Sequence, residues 1–108
     1  MGIGHVHYEG YFFMKFQKGD SVVASRRSNI DNKTETLQQV GIITKTSDVS
    51  SETYPDRSVY SITFPLEPQT PVTFVWAAEG YWVLPDKSQF DTVFNKITRG
   101  KEVLWELN

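Results

Sequence analysis

The sequence predicts a mainly antiparallel β-barrel or strongly bent sheet, completed by one C-terminal helix and a final short strand. Three observations predict it. Residues 59–64 alternate Tyr60, Ile62 and Phe64 with Val59, Ser61 and Thr63, the period of a half-buried strand. Residues 72–85 hold two β-favouring runs, each with a tryptophan, joined across Glu79-Gly80 as a hairpin. Beyond Pro85 the period changes. Phe90, Val93, Phe94 and Ile97 recur at the i, i+3, i+4, i+7 spacing of an apolar helix face, which predicts a helix near 87–99.

Whole-chain properties set the frame. The 108 residues suffice for one domain with its own core, and 39% hydrophobic with 14% aromatic content excludes wholesale disorder. Eleven basic residues against 13 acidic ones give a net charge of -2, which weighs against a generic nucleic-acid binder. The absence of cysteine removes disulfides, Cys-ligated zinc and thiol catalysis together. No apolar run approaches the roughly 20 residues of a membrane span, and no basic segment followed by an apolar one opens the chain. A soluble, cytoplasmic protein without a membrane partner is expected.

Residues 1–13 precede a second methionine, Met14, and carry Tyr8, Tyr11, Phe12 and Phe13; they read as an N-terminal extension that packs as an added strand. The domain proper, 14–108, opens with a turn at Gly19-Asp20 followed by the strand-forming Val22 and Val23. Residues 26–35 are polar and read as a loop. Residues 37–46 make a second strand, where Gly41 predicts a bulge or a sharp coil. Residues 45–58, rich in Ser, Asp and Pro, read as a long mobile loop. Pro65, Pro68 and Pro71 stiffen the link into the tryptophan hairpin, taken as central. Asp86 or Ser88 caps the helix, Gly100 ends it, and 102–107 return to the sheet. The expected core is Val22, Ile42, Ile62, Phe64, Phe74, Trp76, Val83, Phe90, Phe94 and Ile97.

The pattern resembles the SH3-like small-barrel superfamily, the group with KOW, Tudor and related partner-binding modules. The carrying residues are Phe16-x-x-Gly19-Asp20-x-Val22, Gly41-Ile42-Ile43, Tyr60-x-Ile62-x-Phe64 and Trp82-Val83-Leu84-Pro85, which together cover residues 15–85. The resemblance implies a barrel and a partner-binding role. The long 45–58 loop, the helix and the last strand depart from a minimal barrel. The Gly19-Asp20 opening is also similar to that of MazF-like ribonuclease toxins. That family carries an Arg-Pro pair before the apolar run of its second strand; here Gln38-Gln39 precedes Val40, so no arginine of that motif transfers.

Candidate sites are few. Tyr81 and Trp82 point to opposite faces of their strand, so one of them is expected at the surface as part of an aromatic patch. Lys15, Lys18, Arg26 and Arg27, with Lys33, make residues 15–33 basic, a segment suited to phosphate contacts or simply to a solvated strand edge. His5, His7 and Glu9 share one strand face and are metal-ligand types, but no fourth ligand accompanies them, and solvated side chains explain them as well. No nucleophile with an adjacent base assembles, and neither a catalytic residue nor a cofactor is assigned. The expectation is a non-catalytic module that binds a protein partner through a sheet edge or an exposed aromatic patch. The alternative is a nucleic-acid-binding domain, in the extreme a MazF-like ribonuclease, using the basic segment. A homodimer with residues 3–13 at its interface completes the expectations.

Overall fold

A computed structural model of the chain describes residues 15–30, 33–65, 67–78, 80–84 and 90–107. Seven antiparallel strands form one curled sheet, a half-barrel: β1 (Ser21–Ile30), β2 (Lys33–Asp48), β3 (Arg57–Thr63), β4 (Val72–Ala77), β5 (Gly80–Val83), β6 (Phe90–Arg99) and β7 (Glu102–Glu106). The order across the sheet is β5-β4-β3-β2-β1-β6-β7. The tryptophan hairpin β4–β5 therefore closes one end of the sheet, and the long β2 lies at its centre.

Stagger and bulges produce the curl. Residues 33–42 of β2 pair with β1, whereas the pairing with β3 runs from Ile42 to Asp48, so the two neighbours flank different halves of the strand. Such offset tilts strands and rolls a sheet towards closure. Extra residues stand at Thr44 in β2, Asn95 in β6 and Leu104 in β7, where the registers shift. Each bulge adds local twist. Gly41 lies beside these features without being one itself. It permits close approach: a Cβ there would sit 2.5 Å from Ile62 Cγ2 and 2.8 Å from the Phe64 ring.

The concave face holds the core. Phe16, Val22, Ala24, Ile43, Tyr60, Ile62, Phe64, Val72, Phe74, Trp76, Tyr81, Phe94, Ile97 and Trp105 form one buried cluster. The two ends of the sheet meet there through side chains. Tyr81 of β5 stacks on Phe94 of β6 with ring centroids 4.5 Å apart, and Trp76 meets Trp105 edge-on at 5.4 Å. The buried tyrosines also work as acceptors. Tyr81 Oη takes the Phe94 amide at 3.0 Å, and Tyr60 Oη takes the Phe16 amide at 3.0 Å, so neither hydroxyl is buried without a bond.

The Gly19-Asp20 opening has a structural role. Gly19 takes a φ of 93°, which suits glycine. The Asp20 carboxylate accepts the Gln17 amide at 2.7 Å and the Arg99 guanidinium at 2.9 and 3.0 Å, tying the turn to the end of β6. That contact raises the Arg99 pKa above its already high ordinary value. Gly19 N–H and Asp20 C=O then pair with Ile43, both at 2.9 Å, extending the ladder beyond the start of β1.

Several expectations need correction. No helix occurs among the described residues, and 90–99 of the expected 87–99 helix form β6; residues 85–89 lie outside the described set. The Asn95 bulge explains the spacing. Ala24 pairs with Phe94 while Val23 pairs with Lys96, so Phe94 and Ile97 both face inward although three residues apart. Gly100, at φ 60°, sits in the turn between β6 and β7 rather than at a helix end. Residues 26–30 and 33–35, expected as loop, continue β1 and β2, and the expected 45–58 loop shrinks to 49–56. In the core, Ile43 takes the place expected for Ile42, which is 42% exposed, because the inner face of β2 carries Gly41 and Ile43. Val83 is only partly buried against the cluster. The Phe90 side chain and the whole 1–13 extension, with His5, His7 and Glu9, lie outside the described residues.

Candidate functional site

The outer face of the sheet near β5 holds the one aromatic arrangement that reaches the surface among the described side chains. Strand alternation places it. Trp76 and Ser58 are an inward cross-strand pair, so Arg57, Val59, Ala77 and Val75 point outward, and Trp82 joins them opposite Val75. The Arg57 guanidinium lies over the Trp82 ring at 4.8 Å from its centroid and over the Tyr54 ring at 3.8 Å. The result is a layered stack, Trp82–Arg57–Tyr54, in which the cation meets the electron-rich face of each ring. Its outermost member, Tyr54, is 51% exposed. Every other described aromatic side chain, Trp82 apart, is buried.

The 49–56 loop sets Tyr54 in this position through its own hydrogen bonds. Ser50 Oγ accepts the Arg57 amide and donates to the Arg57 carbonyl, both at 3.2 Å, and the Val49 amide donates to the same carbonyl at 3.0 Å. The Ser51 amide donates to the Tyr54 carbonyl at 2.8 Å, while the Tyr54 amide returns to Ser51 Oγ at 3.1 Å. Asp48 anchors the loop at its start. Its carboxylate accepts the Ser50 amide at 2.9 Å and pairs with Lys15 at 3.1 Å. The bonds to Ser50, and then Lys15, hold the Asp48 pKa at about 2, below its ordinary 3.8. Serines that read as mobile linker in the sequence thus close the loop locally.

The residues singled out from the sequence fall in different places. Trp82 belongs to the outer stack, whereas Tyr81 is 0% exposed in the core. Arg26 is equally buried: its guanidinium lies 4.2 Å over the Phe64 ring, Nε donates to Thr92 Oγ1 at 3.3 Å, and Glu67 is 3.9 Å away. It serves the interior and presents nothing to a phosphate. Lys15 pairs with Asp48, Lys18 sits exposed in the turn before β1, and Arg27 pairs with Asp91 at 3.2 Å. Between Lys18 and Arg27 lies the Ser21–Arg27 part of β1, about 20 Å long at the usual strand rise. The four basic residues therefore do not form one patch.

The sequence alone does not mark Tyr54 or Arg57 as site residues. Their three-residue spacing at the end of a polar segment carries no signal on its own. The usable hint is Arg57 entering the alternation of 57–64 on the face away from Tyr60 and Ile62. Elsewhere on the outer face, Val23, Gln38, Val40, Asn95, Lys96 and Glu106 line a shallow depression of about 380 Å³. Among the described residues no group of three or more His, Cys, Asp or Glu side chains is placed to hold a metal ion, and no helix is long and apolar enough to cross a membrane. No protein-family model, characterised protein sequence or solved structure matches the chain.

Proposed function

We propose that the chain is a non-catalytic interaction module of the SH3-like small-barrel kind, binding a protein partner at the β5 end of the sheet. The observation that carries this reading is the Trp82–Arg57–Tyr54 stack on the outer face. A folded chain gains most by burying aromatics, each hiding about 150–250 Å². Among the described side chains this one buries the other aromatics and leaves two on the outer face around a cation. β5 ends the order of the described strands and lies directly under the stack, so an extended partner segment added to that strand places a side chain on the aromatic surface. Backbone pairing supplies affinity in that mode, and the side-chain contact supplies selectivity.

Nuclease-treated lysate passed over the immobilised chain tests the reading, with Trp82→Ala and Lys18→Ala as parallel baits and folding checked by circular dichroism. The expected result is a protein retained by the native chain and by Lys18→Ala. Rebuilt from purified components, that complex weakens about tenfold or more on Trp82→Ala, as for a central aromatic anchor. Retention of single- or double-stranded nucleic acid that falls log-linearly with salt, unaffected by Trp82→Ala, overturns it.

A further inference from the structure

We infer that the outward ring face of Tyr54 receives an aromatic side chain of the partner, one flanked by basic residues. The inference rests on the interaction-module reading above and names the chemistry of what is bound. One face of the Tyr54 ring is covered by the Arg57 guanidinium, 3.8 Å from the centroid, yet the residue is 51% exposed. With Arg57 taking one face, the exposure lies on the rest of the residue, and a stacking partner is left the opposite ring face. That face does not suit a second cation, because Arg57 already draws on the same π-system and repels positive charge through it. A further aromatic ring suits it, stacking with an offset on a ring whose electron density is pulled towards the guanidinium.

The surroundings decide what accompanies that ring. Glu52 and Asp56 lie two residues to either side of Tyr54, and both are exposed. Asp48 stands at the base of the same loop and is compensated by Lys15. Apart from Arg57, which lies against the covered face, the charged residues nearest Tyr54 in the loop are both acidic, so lysine or arginine beside the incoming ring meets complementary charge. A nucleobase is thus disfavoured relative to an aromatic residue in a basic peptide. The stack is also held in advance. Arg57 is the first residue of β3 and Trp82 belongs to β5, while Ser50 and Ser51 fix the loop, so little ordering remains to be done on binding.

The test is an NMR titration of the full chain with N-acetyl-Lys-Trp-Lys-amide. N-acetyl-Lys-Leu-Lys-amide, N-acetyl-Glu-Trp-Glu-amide and a short oligo-dT serve as comparisons. Expected are saturable shifts at Tyr54, Arg57 and Trp82 with the first peptide, weaker binding of the other three, and retention in Tyr54→Phe. Tyr54→Ala should weaken the first peptide about two- to tenfold, the range one aromatic pair supplies. Equal or tighter binding of the leucine peptide, the acidic peptide or oligo-dT overturns the inference, as does no shift up to the solubility limit. Capture of the natural partner separates the two readings. If Trp82→Ala abolishes it and Tyr54→Ala leaves it intact, the inference fails and the module stands; if neither matters, both fail.

Discussion

Gly41→Ala is a one-methyl perturbation whose sign follows from two opposing effects. Gly41 is not among the glycines with positive φ, so alanine fits its backbone and lowers the entropy of the unfolded chain, a gain of about 0.4–1 kcal/mol. Against this stands the space the methyl needs. The new Cβ would lie 2.5 Å from Ile62 Cγ2 and 2.8 Å from two atoms of the Phe64 ring, both residues being fully buried. Carbon atoms rest at about 3.5–4.0 Å, so the neighbours must retreat by about 1 Å. Phe64 has little freedom to do so, because the Arg26 guanidinium lies 4.2 Å from its ring centroid. Overpacking of this kind costs about 1–3 kcal/mol. The steric term wins, for a net loss of about 1–2 kcal/mol, and at roughly 4–8 °C per kcal/mol the melting temperature falls measurably. Thermal unfolding followed by circular dichroism reads it, with Val40→Ala on the exposed outer face as the control. A Gly41→Ala protein that melts at or above the native temperature refutes the close approach of β2 to Ile62 and Phe64.

Further outcomes follow from the same packing. Phe94→Ala should lose about 3–5 kcal/mol in urea unfolding, since the ring is fully buried between Phe74 and Tyr81; a near-neutral result places β6 outside the core. Gln39 carries a buried side-chain amide with no hydrogen-bond partner, so Gln39→Leu should gain about 1 kcal/mol, and a loss of stability argues that the amide is satisfied. The Asp48 carboxylate has its pKa depressed from 3.8 to about 2, so its contribution to the loop is present above 3.8 and lost as pH falls towards 2. NMR should show the Ser50 amide and the Tyr54 ring shifting together in that window, and Asp48→Asn should abolish the titration; a Ser50 amide that titrates unchanged in the variant contradicts the assignment.

Period-two alternation made much of this fold legible in the sequence. It identified β3, the β4–β5 hairpin and the inward Phe74 and Trp76, both of which are buried. Legibility failed where one inserted residue changed the phase. In β6, Thr92 and Phe94 alternate with the exposed Asp91 and Val93, but the Asn95 bulge then moves Ile97 into the position a regular strand gives to its neighbour. The resulting 90-93-94-97 pattern matches a helix face, although Thr92, Val93, Ile97 and Thr98 are β-branched and favour strand. The bulge is stabilised from afar: Tyr81 Oη accepts the Phe94 amide, the Leu107 amide donates to the Asn95 carbonyl, and Asn95 Nδ2 donates to Ser25 Oγ. Three such long-range bonds leave no trace in a local window. The polar stretch 26–35 misled for a related reason, since cross-strand backbone bonds sustain β1 and β2 there without an apolar pattern.

Alternation puts Tyr81 and Trp82 on opposite faces without saying which is inside; the structure places Tyr81 in the core, so the informative member of the pair is Trp82 on the other face. Tyr54 and Arg57 complete that position only after the loop folds, through serine hydroxyls that read as linker in the sequence. Burial was open to Trp82 by a shift of one residue in β5, which would have exposed Tyr81 instead and broken its bond to the Phe94 amide. The register is therefore fixed by Tyr81, and the cost of that choice is a large indole on the outer face. Stacking Arg57 and Tyr54 over it covers part of the exposed ring, and the uncovered remainder is the surface that the proposed partner would complete.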